Sequence, residues 1–331
     1  MRGMRLGVLD VGSNTVHLIV VDAHPGARPS PESSQKSVLR LMRYLLPDGS
    51  ISDEGVRTIM DAMRRAAEEV QRANVDRLIA LATSAIREAA NGPELLERIA
   101  RETGIRLEVM SGEDEAATTF LAVRRWFGWS AGRIMLFDIG GGSLELATGR
   151  DELPDLARSV PLGAGRSTVG FLHDDPPREK QIDALRAHAR EVVEGPVREF
   201  GRLERPDQFV GSSKTIRSLA RLAGSVVDGV GPQDRVTLRR WQLDDWVPRL
   251  AKMPPETRPA LPGITADRTF QIVAGAVVLS EVMAAFDVDE LDVSPWAMRE
   301  GVLLRYIDHI ERMPLPTASV PTGAIPTVPR G

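Results

Sequence analysis

One pattern occurs twice in the chain. Val8-Leu9-Asp10-Val11-Gly12-Ser13-Asn14-Thr15-Val16-His17-Leu18 returns 128 residues later as Leu136-Phe137-Asp138-Ile139-Gly140-Gly141-Gly142-Ser143-Leu144-Glu145-Leu146. Each copy reads as a buried strand ending at an aspartate, a Gly-rich turn with a hydroxyl residue, and a second strand with alternating apolar positions. Two hairpins of one design, each opening one half of the chain, constrain the molecule to two similar folding units. At 331 residues it has room for both.

The segments between the repeats alternate in type. Ser52, with Asp53 and Glu54 behind it, opens a helix whose apolar face is Val56, Ile59, Met60, Met63, Ala67 and Val70. A strand over 77–82 follows, then a helix over 93–103 with proline near its start and Gly104 past its end. Next come a strand over 107–110, an acidic turn Ser111-Gly112-Glu113-Asp114-Glu115, and a helix over 116–127. The second half predicts a helix over 178–200 and a strand over 207–210 leading through Gly211-Ser212-Ser213-Lys214-Thr215 into another helix. Residues 228–263 read as proline-rich loop around a short helix at 244–251. Helices follow over 269–286 and 298–310, and the proline-rich stretch from Met313 reads as a disordered tail. Strands alternating with helices indicate an α/β protein with a partly parallel sheet.

Composition narrows the chemistry. There is no cysteine, so disulfides, thiolate nucleophiles, iron–sulfur clusters and thiolate zinc sites are out. The five histidines (His17, His24, His173, His188, His309) show no HExxH spacing. A formal charge of −4 argues against a general nucleic-acid binder, so a polyanion must be met by a local patch. No apolar run suits a membrane span and no signal-peptide pattern opens the chain, so no membrane association and a cytoplasmic location are expected.

The chemistry must come from oxygen and nitrogen groups. Glycine turns let backbone N–H groups converge on an anion, and a hydroxyl adds a donor. Asp10 and Asp138 end their strands just before such turns, where a carboxylate can hold a metal directly or through water. One copy alone reads equally as a tight hairpin; two in register favour a cleft lined by two phosphate cradles. The 211–215 turn offers helix N-terminal amides, with Lys214 and Arg217 as cations, although strand-to-helix turns also serve connection alone. Arg40 and Arg87 are further candidates for the same cleft. Glu115 is placed to orient or deprotonate a water, but Glu113, Asp114 and Glu115 also fit simple complementarity to a helix dipole.

The ordered set Asp10 to Thr15, Ala82-Thr83-Ser84-Ala85-Ile86-Arg87-Glu88-Ala89, Ser111 to Ala116, Asp138 to Glu145 and Arg299-Glu300-Gly301 resembles the exopolyphosphatase and guanosine pentaphosphate phosphatase family. The resemblance implies the actin, Hsp70 and sugar-kinase superfold: two ribonuclease-H-like domains around a central cleft, with mixed sheets flanked by helices. Domain I is then expected over 1–126 plus 299–312, and domain II over 127–298, ahead of the tail at 313–331. By position, Glu115 matches the family's catalytic glutamate, and Asp138 and Glu145 its essential magnesium-associated acids. Asp10 joins them in the expected metal set, with Mg²⁺ or Mn²⁺ as the ion. Gly12, Ser13, Asn14 and Thr15, and Gly140, Gly141, Gly142 and Ser143, match the phosphate-binding loops, and Arg87 the family's arginine. Ser212, Ser213, Lys214 and Thr215 complete the expected phosphate set.

The implied reaction is release of terminal orthophosphate from inorganic polyphosphate by water. The chain departs from the family pattern at Lys214, where glycine is usual, at His17, where arginine is usual, and at Thr269-Phe270-Gln271-Ile272. It also stops where longer members carry C-terminal helical domains, so short polyphosphates are the expected better substrates. The rival activities are removal of the 5′ γ-phosphate from pppGpp to give ppGpp, an ATP-dependent kinase of the same superfold, and a non-hydrolytic sensor of ppGpp or polyphosphate. The resemblance also makes a homodimer the expected assembly.

Overall fold

The first strand, β1 (Met4–Val11), is fully buried from Leu6 onward because it lies at the centre of a sheet covered on both faces. It turns at Gly12 into β2 (Thr15–Ala23), which pairs antiparallel with it and with β3 (Ser33–Val38). The computed structural model describes residues 4–23, 31–227 and 235–308. The expected tail lies outside them.

Helix α1 (Asp53–Arg72) begins where the Ser52 hydroxyl accepts the Gly55 N–H, and lays Ile59, Met60, Met63, Ala66 and Val70 on one face of this sheet. Strand β4 (Arg77–Ala82) then enters parallel to β1, followed by the single turn α2 (Ser84–Arg87), α3 (Gly92–Thr103) and the short parallel β5 (Glu108–Val109). Helix α3 ends at Gly104 in the left-handed region, as its sequence predicts. The sheet order is β3-β2-β1-β4-β5. Helix α4 (Gly112–Phe127) leads out of this first lobe.

The second sheet repeats the plan. Strands β6 (Ile134–Ile139), β7 (Leu144–Gly149) and β8 (Leu156–Val160) form an antiparallel meander. After α5 (Ala164–Phe171) and α6 (Glu179–Phe200), β9 (Gln208–Gly211) pairs parallel to β6. Helix α7 (Lys214–Ala223), β10 (Ser225–Val227), β11 (Arg235–Arg239), α8 (Arg240–Lys252) and α9 (Ile272–Ala285) precede β12 (Glu290–Val293), which is parallel to β9. The stretch β8-β7-β6-β9-β12 therefore has the order and directions of the whole first sheet, extended at its far edge by β11 and β10. Two mixed sheets flanked by helices are thus built on one scheme, as the 128-residue repeat predicts.

Helix α10 (Met298–Ile307) returns to the first sheet, packing Met298, Val302 and Leu303 on the face opposite α1. It also lies against α4, whose Ala116, Phe120 and Val123 pack on the second sheet. The α4–α10 pair is thereby sandwiched between the sheets. Its close approach depends on Gly301, where a Cβ would sit 2.0 Å from the Thr118 carbonyl oxygen.

Two expectations need correction. The acidic segment 112–115 is the first turn of α4 rather than a turn ahead of it. The described part of 228–263 is not mainly loop: it contains β11 and all of α8. Among the described residues no helix is long and apolar enough to cross a membrane.

Candidate active site

The two hairpin turns are the same turn used twice. The Gly12 N–H donates to the Thr15 carbonyl at 3.0 Å, and the Gly140 N–H to the Ser143 carbonyl at 2.9 Å. They face each other and touch. A Cβ on Gly141 would lie 2.5 Å from Asn14 Nδ2 and 2.8 Å from Ser13 Cβ, and one on Gly142 2.5 Å from Ser84 Oγ. Gly141 and Gly142 are thus dictated by side chains of the first lobe, Ser13 and Asn14 from its turn and Ser84 from α2, which press into the space a Cβ would need.

Between the lobes lies a cleft of about 350 Å³ that both turns line. Asp10 and Asp138 enter it from opposite sheets, the arrangement the sequence repeat implied. In β-pairing Asp138 is opposite Glu145, and Asp10 is opposite His17, so His17 holds in the first sheet the place that Glu145 holds in the second. Cross-strand partners share a sheet face, which brings both pairs into the cleft.

Each strand carboxylate is fastened through one oxygen. Arg299 Nη1 donates to Asp10 Oδ2 at 3.1 Å, the Ser212 hydroxyl donates to Asp138 Oδ2, and Ser159 Oγ donates to Glu145 Oε1 at 3.0 Å. Glu115 is different. The Ser111 hydroxyl caps α4 by accepting the Asp114 N–H, Asp114 bonds back to Ser111, and Glu113 pairs with Arg158 at 2.9 Å, so these two acids serve the helix start and the surface. Glu115 points inward instead. Its Oε2 is buried without a hydrogen-bond partner, and the nearest cation, Arg87 Nη1, is 3.5 Å away.

Crowding four acids into a desolvated cleft raises their proton affinities. Burial and then the charges of Glu145 and Asp10 push Glu115 well above the ordinary glutamate value. Burial and then Asp138 push Glu145 up to about 8. Burial also raises Asp10 and Asp138, against the pull of Arg299 on the first and of Ser212 on the second. His17 moves the other way, to about 3, through burial and the nearby Arg299, Lys36 and Lys214, so its imidazole is neutral at working pH. Its Nε2 meets Ser34 Oγ at 2.7 Å.

The same cleft holds cations that the sequence reading caught only in part. Lys214 and Arg217 line it as expected, and so do Lys36, Arg268 and Arg299, which arrive from β3, the turn before α9, and α10. Arg299 had a signal in the Arg-Glu-Gly motif: Glu300 accepts the Ala297 N–H to cap α10, Gly301 permits the α4 contact, and Arg299 is left aimed at Asp10. Lys36, in a polar alternating strand, had none. Thr119, one turn beyond Glu115, also lines the cleft and was missed.

Several expected phosphate ligands stand elsewhere. Gly12, Ser13, Asn14, Thr15, Gly140, Gly141, Ser143, Ser213, Lys214 and Thr215 line the cleft. Gly142 does not, being pressed against Ser84 and Ser13. Ser212 is fully buried, with its hydroxyl committed to Asp138. Arg87 donates to the Met110 carbonyl at 2.8 Å and lines a neighbouring hollow with Arg158. Arg40 reaches across to the Ala266 carbonyl at 3.0 Å and ties the lobes rather than lining the cleft.

The donor set can be tested against a metal. All candidates are oxygen ligands, and no three acidic or imidazole groups among the described residues close on one point. That does not suit an all-protein cage. It does fit a magnesium-like ion, which keeps several waters and takes one or two carboxylates plus substrate phosphate oxygens.

Comparison with known proteins settles the lineage. A model of the Ppx/GppA phosphatase family matches residues 19–309. The chain belongs to that family. Exopolyphosphatase 1 of Mycobacterium tuberculosis is 46% identical over 305 residues, covering 92% of this chain and 89% of that protein. Among solved structures, an exopolyphosphatase from Cytophaga hutchinsonii superposes with a TM-score of 0.82 at 26% identity, over 93% of this chain and 99% of that one. The Aquifex aeolicus member of the Ppx/GppA family gives 0.72 at 26% identity, over 94% and 99%. The two-lobed scheme with its facing turns is therefore a Ppx/GppA architecture.

Proposed function

We propose that this Ppx/GppA protein is an exopolyphosphatase that hydrolyses the terminal phosphoanhydride bond of inorganic polyphosphate. The observation that carries the reading is the cleft's division of charge. Glu115, Asp10, Asp138 and Glu145 gather at the facing turns, while Lys36, Lys214, Arg217 and Arg268 line the cleft with them. A linear polyanion reacting at its end needs both: cations for its inner phosphates, and a water-handling acid at its terminus.

In this reading the terminal phosphoryl group sits between the two turns, held by their amides and by the Ser13, Thr15 and Ser143 hydroxyls. Glu115, whose proton affinity is raised by burial and by its acidic neighbours and whose Oε2 is free of hydrogen bonds, accepts a proton from a water and directs its oxygen at the terminal phosphorus. The new P–O bond forms as the bridging P–O bond breaks, and the shortened chain leaves with the electron pair as an oxyanion neutralised by Arg217 and Arg299. Asp10, Asp138 and Glu145 are the carboxylates from which Mg²⁺ or Mn²⁺ would draw one or two ligands, and the ion would supply positive charge to offset that of the loose transition state. Ser212, Ser159 and Arg299 position those three carboxylates.

The test is orthophosphate release from tripolyphosphate, long-chain polyphosphate, pppGpp, ATP and ADP, with Mg²⁺. The expected outcome is release from the polyphosphates well above the nucleotides. Preferential release from pppGpp would transfer the activity to that nucleotide, and binding without release would make the protein a sensor.

A further inference from the structure

Asp267 lies on the turn ahead of α9, behind the cleft's cations. Its Oδ2 is 3.0 Å from Lys36 Nζ on β3 and 3.4 Å from Lys214 Nζ at the start of α7, while Thr265 bonds the other oxygen. The two lysines come from different lobes, Lys36 from β3 and Lys214 from α7, both line the cleft, and neither has another acid in ion-pair range among the described residues. Asp267 does not line the cleft. It is a fixed anion placed behind the cations that face the ligand. Burial works to raise its carboxyl, but the Thr265 hydrogen bond and the two lysines outweigh it and hold the group below the usual range, so it stays ionised.

We propose that Asp267 is a built-in competitor for substrate, whose carboxylate occupies Lys36 and Lys214 and so penalises polyphosphate chains long enough to reach them. The inference rests on the polyphosphate reading and deepens it to chain-length choice. A phosphate arriving at the lysines must replace Asp267 as their partner while being repelled by it; a chain confined to the two turns meets neither effect. The alternative role is a brace between lobes. The Arg40 contact with the Ala266 carbonyl ties the same turn to the first lobe independently, so removing the Asp267 charge need not release the turn.

The test is steady-state kinetics on tripolyphosphate and long-chain polyphosphate for the wild type, Asp267→Asn, Asp267→Glu, and Asp267→Asn combined with Lys36→Met and Lys214→Met. Asp267→Asn is expected to lower KM for long chains about fivefold, the scale of a half-exposed ion pair, with kcat unchanged and a smaller effect on tripolyphosphate. The KM of Asp267→Glu should stay near wild type. With both lysines removed, Asp267→Asn should lower KM much less, since Arg268 Nε, 3.7 Å from Asp267 Oδ2, is then the one cleft cation among the described residues still in its ion-pair range. An unchanged KM for long chains, or a rise for both substrates, overturns the inference and leaves Asp267 a brace. Wild-type protein that releases phosphate from neither polyphosphate overturns the reading beneath it.

Discussion

Glu115 shows what single residues contribute and what a sequence can say of them. Three consecutive acids opened one helix, and dipole complementarity accounted for all of them equally. The family resemblance singled out Glu115, and the fold gives the physical reason: Ser111 and Arg158 take Asp114 and Glu113 while Glu115 alone turns into the cleft. Glu115→Gln is expected to lower kcat by at least about a hundredfold while leaving polyphosphate affinity near wild type, since the amide keeps the shape but cannot take the proton. Turnover assays and calorimetric binding to the same variant check it; loss of binding would make Glu115 structural. The cations show the converse limit. Lys36, Arg268 and Arg299 are distant in sequence and share no local pattern, so no spacing rule joins them; only the convergence of β3, the turn before α9, and α10 does.

At the scale of elements, local chemistry was legible wherever it was self-contained. The hairpins, the Ser52-capped α1 and the Gly104-terminated α3 each carry their own start, face and stop. Helix α8 was legible only over its later part, 244–251, and its first turn at Arg240 carries no acidic residue to mark a start, while β11 escaped because exposed Arg235 and Arg239 flank the buried Thr237 and Leu238. Both are held by tertiary contacts, β11 by pairing with β12 and α8 by packing on α9. The α4–α10 contact makes a sharper claim. Gly301→Val must push α10 away from the Thr118 carbonyl, at a cost of about 1–3 kcal/mol typical of an overpacked interior. Because Arg299 rides on α10, the expected outcome is a lower Tm together with a weakened hold on Asp10, seen as a raised KM; thermal melts and kinetics on one variant check both. A fall in Tm with kinetics unchanged would show that Arg299 does not depend on that contact.

Over the whole molecule, two copies of one sheet scheme are pressed together so that their equivalent turns meet. The cost of that arrangement is four acids in one desolvated space. Glu145 is raised from 4.5 to about 8, so the folded protein binds more protons than the unfolded chain across that interval, and the metal-free protein should lose stability as pH rises through it. Added Mg²⁺ is expected to remove most of that loss and to release protons on binding, which melts across the interval with and without chelator, and calorimetry in buffers of different ionisation enthalpy, will measure. A pH-independent Tm without metal would contradict the assignment of these acids to one interacting cluster. The claim on which the rest depends is that a terminal phosphate is gripped by both turns at once. A crystal structure of the Glu115→Gln variant with tripolyphosphate and Mg²⁺ tests it most directly. An end phosphate is expected between Gly12–Thr15 and Gly140–Ser143, beside residue 115; phosphates bound instead in the hollow beside Arg158, or on the outer face of either lobe, would contradict that grip.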